Sequence, residues 1–318
     1  MKKIFIAGGA GYIGTRLCNE LCDKYEITVL DHFWFGDHLD NKIIKKKADL
    51  KSLKSEDLIG FDTVIFLAGL SNDPMAMYRP DLNFVENAAA PAFLAFITKE
   101  AGVTRFICAS SCSVYGHSKN KTLDENSVVK PEYAYGISKL QCEQGVNILE
   151  DQNFKPIIFR KATLGGWSTK MRFDLVVNTM TMSALTKNVI TVNSPDLWRP
   201  LIDIRDIIQG YELAIEAPIE VSGVYNISGG NYTIGDLGKL VQKKLAQMNV
   251  SAELNILDVK DVRNYKVCTA KIKDELGFEA RFSPEDSVSE IVKNVSSPSF
   301  NFNDKKYYNI ETFRSVVK

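Results

Sequence analysis

Apolar positions in the first half of the chain follow two rhythms in turn. Short unbroken apolar runs read as buried strands: "KKIFIA" (2–7), "EITVLD" (26–31), "DTVIFLAG" (62–69), "VTRFICAS" (103–110) and "KPIIFRKA" (155–162). Between them the period lengthens to that of a helix. "GYIGTRLCNELCDK" (11–24) puts Ile13, Leu17 and Leu21 on one face. Residues 81–102 read as one helix despite Pro91, ended by Gly102, and residues 133–152 as another. Strand-helix-strand alternation of this kind predicts an α/β fold built on a doubly wound parallel sheet of Rossmann type.

After residue 163 the pattern loosens. Helices are expected over 173–187, 205–217 and 233–248, with short strands between them. No repeat or low-complexity linker marks a boundary, so a smaller, interleaved C-terminal substrate lobe is expected. The expected division gives residues 1–165 and about 196–223 to the dinucleotide-binding domain. Residues 166–195 and 224–318 form the lobe.

Composition narrows the function classes. The chain has 318 residues, 45% of them hydrophobic, and 39 basic against 39 acidic residues. Zero net charge gives no footprint for a nucleic-acid partner. No apolar run approaches the length of a membrane span, and the run after Lys2-Lys3 stops at Gly8, too soon for an export segment. Six cysteines without a CxxC pair, and only three histidines, read as reduced thiols in a cytoplasmic protein with no metal site.

"IAGGAGYIGTRL" places Gly8, Gly11 and Gly14 between the first strand and the first helix. Glycines there let the backbone approach a pyrophosphate, and the helix N-terminus presents N–H groups to it. Asp31 ends the second strand, where a carboxylate accepts the adenosine ribose hydroxyls and repels a 2′-phosphate. No Lys or Arg occurs in "HFWFGDH" (32–38), so NAD is favoured over NADP. Asp49, closing "KKKADL", is a candidate for adenine.

The fourth strand runs into "ASSCSVYG" (109–116), which crowds hydroxyls at the end of an otherwise apolar run. In "YAYGISK", Tyr135 and Lys139 are four residues apart on a predicted helix and share a face. A neighbouring ammonium favours phenolate, which lets a Tyr relay a proton to a substrate oxygen. Ligands of open α/β sheets bind at the C-terminal strand ends, so a serine of 110–113 is placed to bind that same oxygen. Spacing alone does not choose among Ser110, Ser111 and Ser113.

The glycine loop, "SSCSVYG" and YxxxK together resemble the extended short-chain dehydrogenase/reductase family, in its nucleotide-sugar epimerase, dehydratase and reductase branch. The resemblance spans nearly the whole chain. It implies Ser111, Tyr135 and Lys139 as the catalytic group. The implied cofactor contacts are Gly8, Gly11, Tyr12, Ile13, Gly14, Asp31, Asp49, Leu50, Leu67, Ala68, Gly69 and Asn87, with Tyr135 and Lys139. "MRFDLVVN" and "WRPLIDIRD" imply Asn178 and Arg199 as diphosphate ligands, and "DVRNYKV" adds Arg263. Ser71 and Asn72 of "GLSNDPMAM", Thr163, and Ser111, Cys112 and Ser113 are the remaining expected substrate contacts.

The chain also departs from that family. The Asp-Glu pair that dehydratases carry after the catalytic Thr is replaced by Cys112 and Ser113, which disfavours dehydration. "RKATLGGW" (160–167) stands where an Asn and an aromatic-Gly-Pro are common, so the sugar pocket is unusual. The expectation is an NAD-dependent nucleotide-sugar epimerase, acting at C4 through a transient 4-keto sugar. A 4-ketosugar reductase uses the same residues, and a non-catalytic NAD-binding protein the same fold. The expected partner is a nucleotide-diphosphate sugar. The resemblance also implies a homodimer paired through helices 81–102 and 133–152.

Overall fold

The computed structural model describes residues 1–257, 263–297 and 300–317. Seven parallel strands form the central sheet: β1 (Lys3–Ala7), β2 (Glu26–Asp31), β3 (Ile44–Lys47), β4 (Thr63–Phe66), β5 (Arg105–Ser111), then, after the outlying β6 (His117–Leu123), β7 (Lys155–Lys161) and, much later, β11 (Gly223–Ile227). Their order is β3-β2-β1-β4-β5-β7-β11, so the winding reverses between β1 and β4. That reversal opens a crevice at the C-terminal strand ends.

Successive residues of β1 serve opposite faces. Ile4 and Ile6 pack with α1 (Tyr12–Leu21), through Leu17, Cys18 and Leu21. Phe5 and Ala7 pack on the other side, in the core that includes Leu94 and Ile97. Helices therefore cover both faces of the sheet, as unbroken apolar strands require.

The expected 81–102 helix is interrupted. After α2 (Asp73–Tyr78), the chain forms α3 (Pro80–Phe84), one π-turn at Val85–Ala89 and α4 (Ala90–Glu100). Pro91 has no N–H to donate to the Asn87 carbonyl, and Ala90 donates instead to Val85, five residues back. α5 (Ala134–Asn147) lies beside α4 and carries Tyr135 and Lys139.

The remaining elements are β8 (Thr163–Gly165), α6 (Val176–Lys187), β9 (Val189–Asn193), β10 (Trp198–Asp203), α7 (Ile204–Glu216), β12 (Gly230–Thr233), α8 (Ile234–Gln247), β13 (Glu253–Leu257), β14 (Asn264–Val267), α9 (Ala270–Leu276), α10 (Pro284–Val295) and α11 (Asn309–Val316). Strands β12-β10-β8 form a second sheet, while β13-β9 and β14-β6 are two-stranded pairs. β11 pairs with β7 along Gly223–Ile227, so the large sheet takes in residues beyond the expected boundary at 223. At five residues, with Tyr225, Asn226 and Ile227 buried, the strand was too short for its pattern to extend that boundary. Among the described residues, no helix is long and apolar enough to cross a membrane.

Candidate active site

A cleft of about 790 Å³ runs along the C-terminal edge of the large sheet and under the smaller one. The glycine loop forms one end. Gly8 has φ +86°, and a Cβ there would lie 2.3 Å from the Ala68 nitrogen, so only glycine lets β1 and β4 exit side by side. Gly11 precedes α1 without any side-chain cap, leaving the first N–H groups of that helix available. Gly8, Gly11, Tyr12, Ile13 and Gly14 all line the cleft, and Leu67, Ala68 and Gly69 form its facing wall. This open cradle, with backbone donors and no side chain in the way, fits a dinucleotide pyrophosphate.

Tyr12 is tied down by donating to the Gly166 carbonyl at 2.7 Å. Asp31 does not line the cleft; its carboxylate accepts from Ala10 N at 3.0 Å and Phe33 N at 2.8 Å. It thus caps the glycine loop, and burial pushes its pKa up. Each oxygen keeps a second lone pair for a hydroxyl. Asp49 caps the turn Leu50–Ser52 by accepting from Lys51 N, while Leu50 is buried in the core, so neither reaches the cleft. Asn87 is also withdrawn: it is fully buried and donates to the Leu70 carbonyl and Asn83 Oδ1. Its own Oδ1 has no partner and presses beneath Gly69, where a Cβ would fall 2.1 Å away. Asn87 shapes the wall from behind.

At the middle of the cleft the three serines separate. Ser110 borders the cleft too, but it is fully buried and its hydroxyl donates to Glu143 Oε1 at 2.5 Å, inside a network with Arg160 and Tyr115. Ser111 and Ser113 face the cleft, with Ser111 Oγ donating to Ser113 Oγ at 3.1 Å. Tyr265 of β14 packs on Ser113, and burial pushes its phenol up to about 12. Cys112 points away: its buried thiol donates to the Arg160 carbonyl, so the expected substrate contact is not made.

Tyr135 and Lys139 both line the cleft. The Lys139 ammonium donates to the Ala109 carbonyl at 3.1 Å and stands 5.8 Å from the Tyr135 ring centre. The Lys139–Ala109 bond thereby ties helix α5 to the end of β5, and Tyr135 and Ser111 line the same cleft.

At the far end Thr163, Arg199 and Arg263 line the cleft. Arg199 is largely buried; it donates to the carbonyls of Trp198 and Arg263, and its guanidinium lies 6.0 Å from the Tyr265 ring. Arg263 bonds Asp73 Oδ2 at 2.9 Å across the mouth. Asp261 and Val262, from the same segment, lie outside the described residues. Ser71 accepts from Asn309 Nδ2 at 2.8 Å, and Asn72 both caps α2 and donates to Asp174 Oδ2 at 2.6 Å. Asn178 is not in the cleft. Its buried amide accepts from Gly166 N and donates to Tyr12 and Arg172, which is internal bracing and leaves no group for a diphosphate.

Two lining groups escaped the sequence reading. Arg172 grips Asp174 with two bonds of 2.9 Å; burial opposes the Asp174 charge, but the guanidinium overcomes this and holds its pKa below the usual range. Lys161 ends β7. Burial, and then the Lys139 charge, push its ammonium down to about 7. A lysine at a strand end is ordinarily read as a solvated exit, so no signal in the pattern set it apart. Among the described residues no cluster of His, Cys, Asp and Glu is placed to hold a metal ion.

The NAD dependent epimerase/dehydratase family model matches residues 4–228. The UDP-glucose 4-epimerase of Bacillus subtilis (strain 168) is 23% identical over 328 aligned positions, covering 90% of this chain and 95% of that protein. Among solved structures, the UDP-glucuronic acid 4-epimerase of Bacillus cereus, in complex with UDP-glucuronic acid and NAD, superposes with a TM-score of 0.80 at 22% identity, covering 92% of this chain and 99% of that one. TunA, an NAD-dependent NDP-hexosamine 5,6-dehydratase, superposes with a TM-score of 0.82 at 21% identity, covering 94% and 99%.

Proposed function

This chain belongs to the NAD dependent epimerase/dehydratase family, and we propose that it inverts C4 of a nucleotide-diphosphate sugar. The observation that carries this reading is the meeting of Ser111, Tyr135 and Lys139 in one cleft with the glycine loop. Bound NAD supplies the reversible acceptor for the hydrogen on C4. Tyr135 takes the C4 hydroxyl proton as that carbon becomes a carbonyl. Ser111 donates to the developing carbonyl oxygen and holds it in place. Lys139, its ammonium 5.8 Å from the Tyr135 ring centre, orients Tyr135. After the sugar turns over, Tyr135 returns the proton as C4 is reduced on its other face.

Arg199 and Arg263 hold the diphosphate during that rotation, since guanidinium forks match phosphate oxygens. Ser71, Asn72, Ser113 and Thr163 line the space left for the sugar. Cys112, turned into the core, leaves no acid-base pair beside Ser111 to expel water, which supports epimerisation over dehydration.

The cofactor unit comprises residues 1–165 and about 196–227, the rest binding substrate. Its setting is the cytoplasm. The assembly is a homodimer through α4 and α5, where Phe93 and Phe96 are exposed.

The test is to incubate the NAD-loaded protein with a panel of nucleotide sugars and follow each by NMR. Inversion at C4 without net change in NADH absorbance is expected, and Tyr135→Phe should lower kcat by about 10²–10⁴. Full turnover in Tyr135→Phe, or a requirement for stoichiometric reduced cofactor, overturns the reading.

A further inference from the structure

Strands β5 and β7 run parallel and in register, with Ser111 directly opposite Lys161. Side chains so paired leave the sheet on the same face, about 4.8 Å apart. Both line the cleft. The Lys161 side chain therefore leaves the sheet beside that of Ser111, the residue assigned to the C4 oxygen.

Three cations converge on this point, and two are already compensated. Arg172 is neutralised by two bonds to Asp174. Lys139 donates to the Ala109 carbonyl and lies 5.7 Å from the centre of the Phe66 ring. The ammonium of Lys161 makes no hydrogen bond or ion pair among the described residues, and Lys139 and Arg172 both repel it. A cation held part-buried in a cleft without a partner is costly, and sugar hydroxyls, being neutral, do not offset its charge.

We propose that Lys161 sets the sugar specificity of this cleft and selects a nucleotide sugar bearing a carboxylate on C5. The inference rests on the nucleotide-sugar reading above and names its substrate class as a uronate. A carboxylate on C5 is two bonds from C4, within reach of an amine anchored beside Ser111. It gives Lys161 the anion that no protein group provides, and Arg172, spent on Asp174, does not compete for it.

The experiment measures the Kd of UDP, UDP-glucose and UDP-glucuronate for the NAD-loaded wild-type protein, Lys161→Met and Lys161→Arg, together with bound NAD. The wild type should bind UDP-glucuronate at least about tenfold tighter than UDP-glucose, the scale of a charge-assisted hydrogen bond. Lys161→Met should erase that difference while leaving UDP affinity and NAD content unchanged, and Lys161→Arg should keep part of it. Equal affinity for the two sugars in a wild type that binds UDP overturns this inference alone. So does a preference that survives in Lys161→Met, or a loss of NAD and UDP in that variant, which would mark a structural role. Failure of the wild type to bind UDP or either sugar overturns the nucleotide-sugar reading and this inference with it.

Discussion

Arg263 and Asp73 are joined by a 2.9 Å ion pair that crosses the mouth of the cleft, linking the segment before β14 to the start of α2. Both residues line the cleft, so a diphosphate arriving there meets a guanidinium and the carboxylate already holding it. Arg263→Ala should raise KM for the nucleotide sugar by about 10–100-fold, the scale of a bidentate charge-assisted contact, with kcat within about threefold. Asp73→Asn keeps the shape and removes the competing anion, so its KM should fall by about two- to threefold. Steady-state kinetics of the two variants measure both effects, and their opposite signs separate competition from simple loss of structure.

Ser110 and Ser111 are adjacent in sequence and opposite in role. Both border the cleft, but the fully buried Ser110 turns its hydroxyl onto Glu143, which Arg160 also grips, whereas Ser111 is only part-buried. Ser110→Ala leaves a buried carboxylate short of a donor, at a cost of about 1–3 kcal/mol. Thermal unfolding should show a Tm lowered by several degrees. Ser111→Ala should keep its Tm and lose about 10²-fold in kcat, the effect of removing one donor to a developing oxyanion.

That pair also marks where sequence reasoning stopped. The alternation of strands and helices made the large sheet legible, because each element carries its own periodicity. The glycine loop and the Tyr135–Lys139 spacing were legible because both are local. Residues whose role depends on what lies across the fold were not. Asn178 belongs to a plausible segment, yet folding turns its amide onto Gly166, Tyr12 and Arg172. Cys112 follows Ser111 by one position and so faces the opposite side of the chain, into the Arg160 carbonyl. Asp31 was chemically suited to ribose, but its second duty, accepting from two backbone N–H groups to cap the glycine loop, depends on the fold and was not legible. Lys161 became visible only through strand register, which no single strand's sequence encodes.

Phe93 and Phe96 lie on the outer side of α4, and Phe96 is 50% exposed. Phe84 and Val85, at the start of the π-turn, are exposed as well. Exposed aromatics three residues apart on one helix, as Phe93 and Phe96 are, mark association surfaces. Phe96→Glu should convert a dimer to a monomer, read by light scattering during size-exclusion chromatography. The variant should retain its Tm to within about 3 °C at low concentration, since the side chain is not part of the monomer core. A wild-type chain that elutes as a monomer at all concentrations removes the homodimer.

Lys161 also gives the fold a characteristic response to pH. Its ammonium, pushed down to about 7 by burial and by the Lys139 charge, titrates well below the value of about 10.4 for an unfolded lysine. Between those two values the unfolded chain binds a proton that the folded chain does not. Stability therefore rises with pH across that window, and below it the folded state carries the full cost of the confined charge. Lys161→Met removes the cation while keeping an apolar stem of similar length. The variant should exceed the wild type in Tm by about 3 °C near pH 6, with the gap closing as pH rises toward 10. Calorimetric scans of both proteins across that range check this, and a gap that does not change with pH would show that the Lys161 charge is not held against its surroundings.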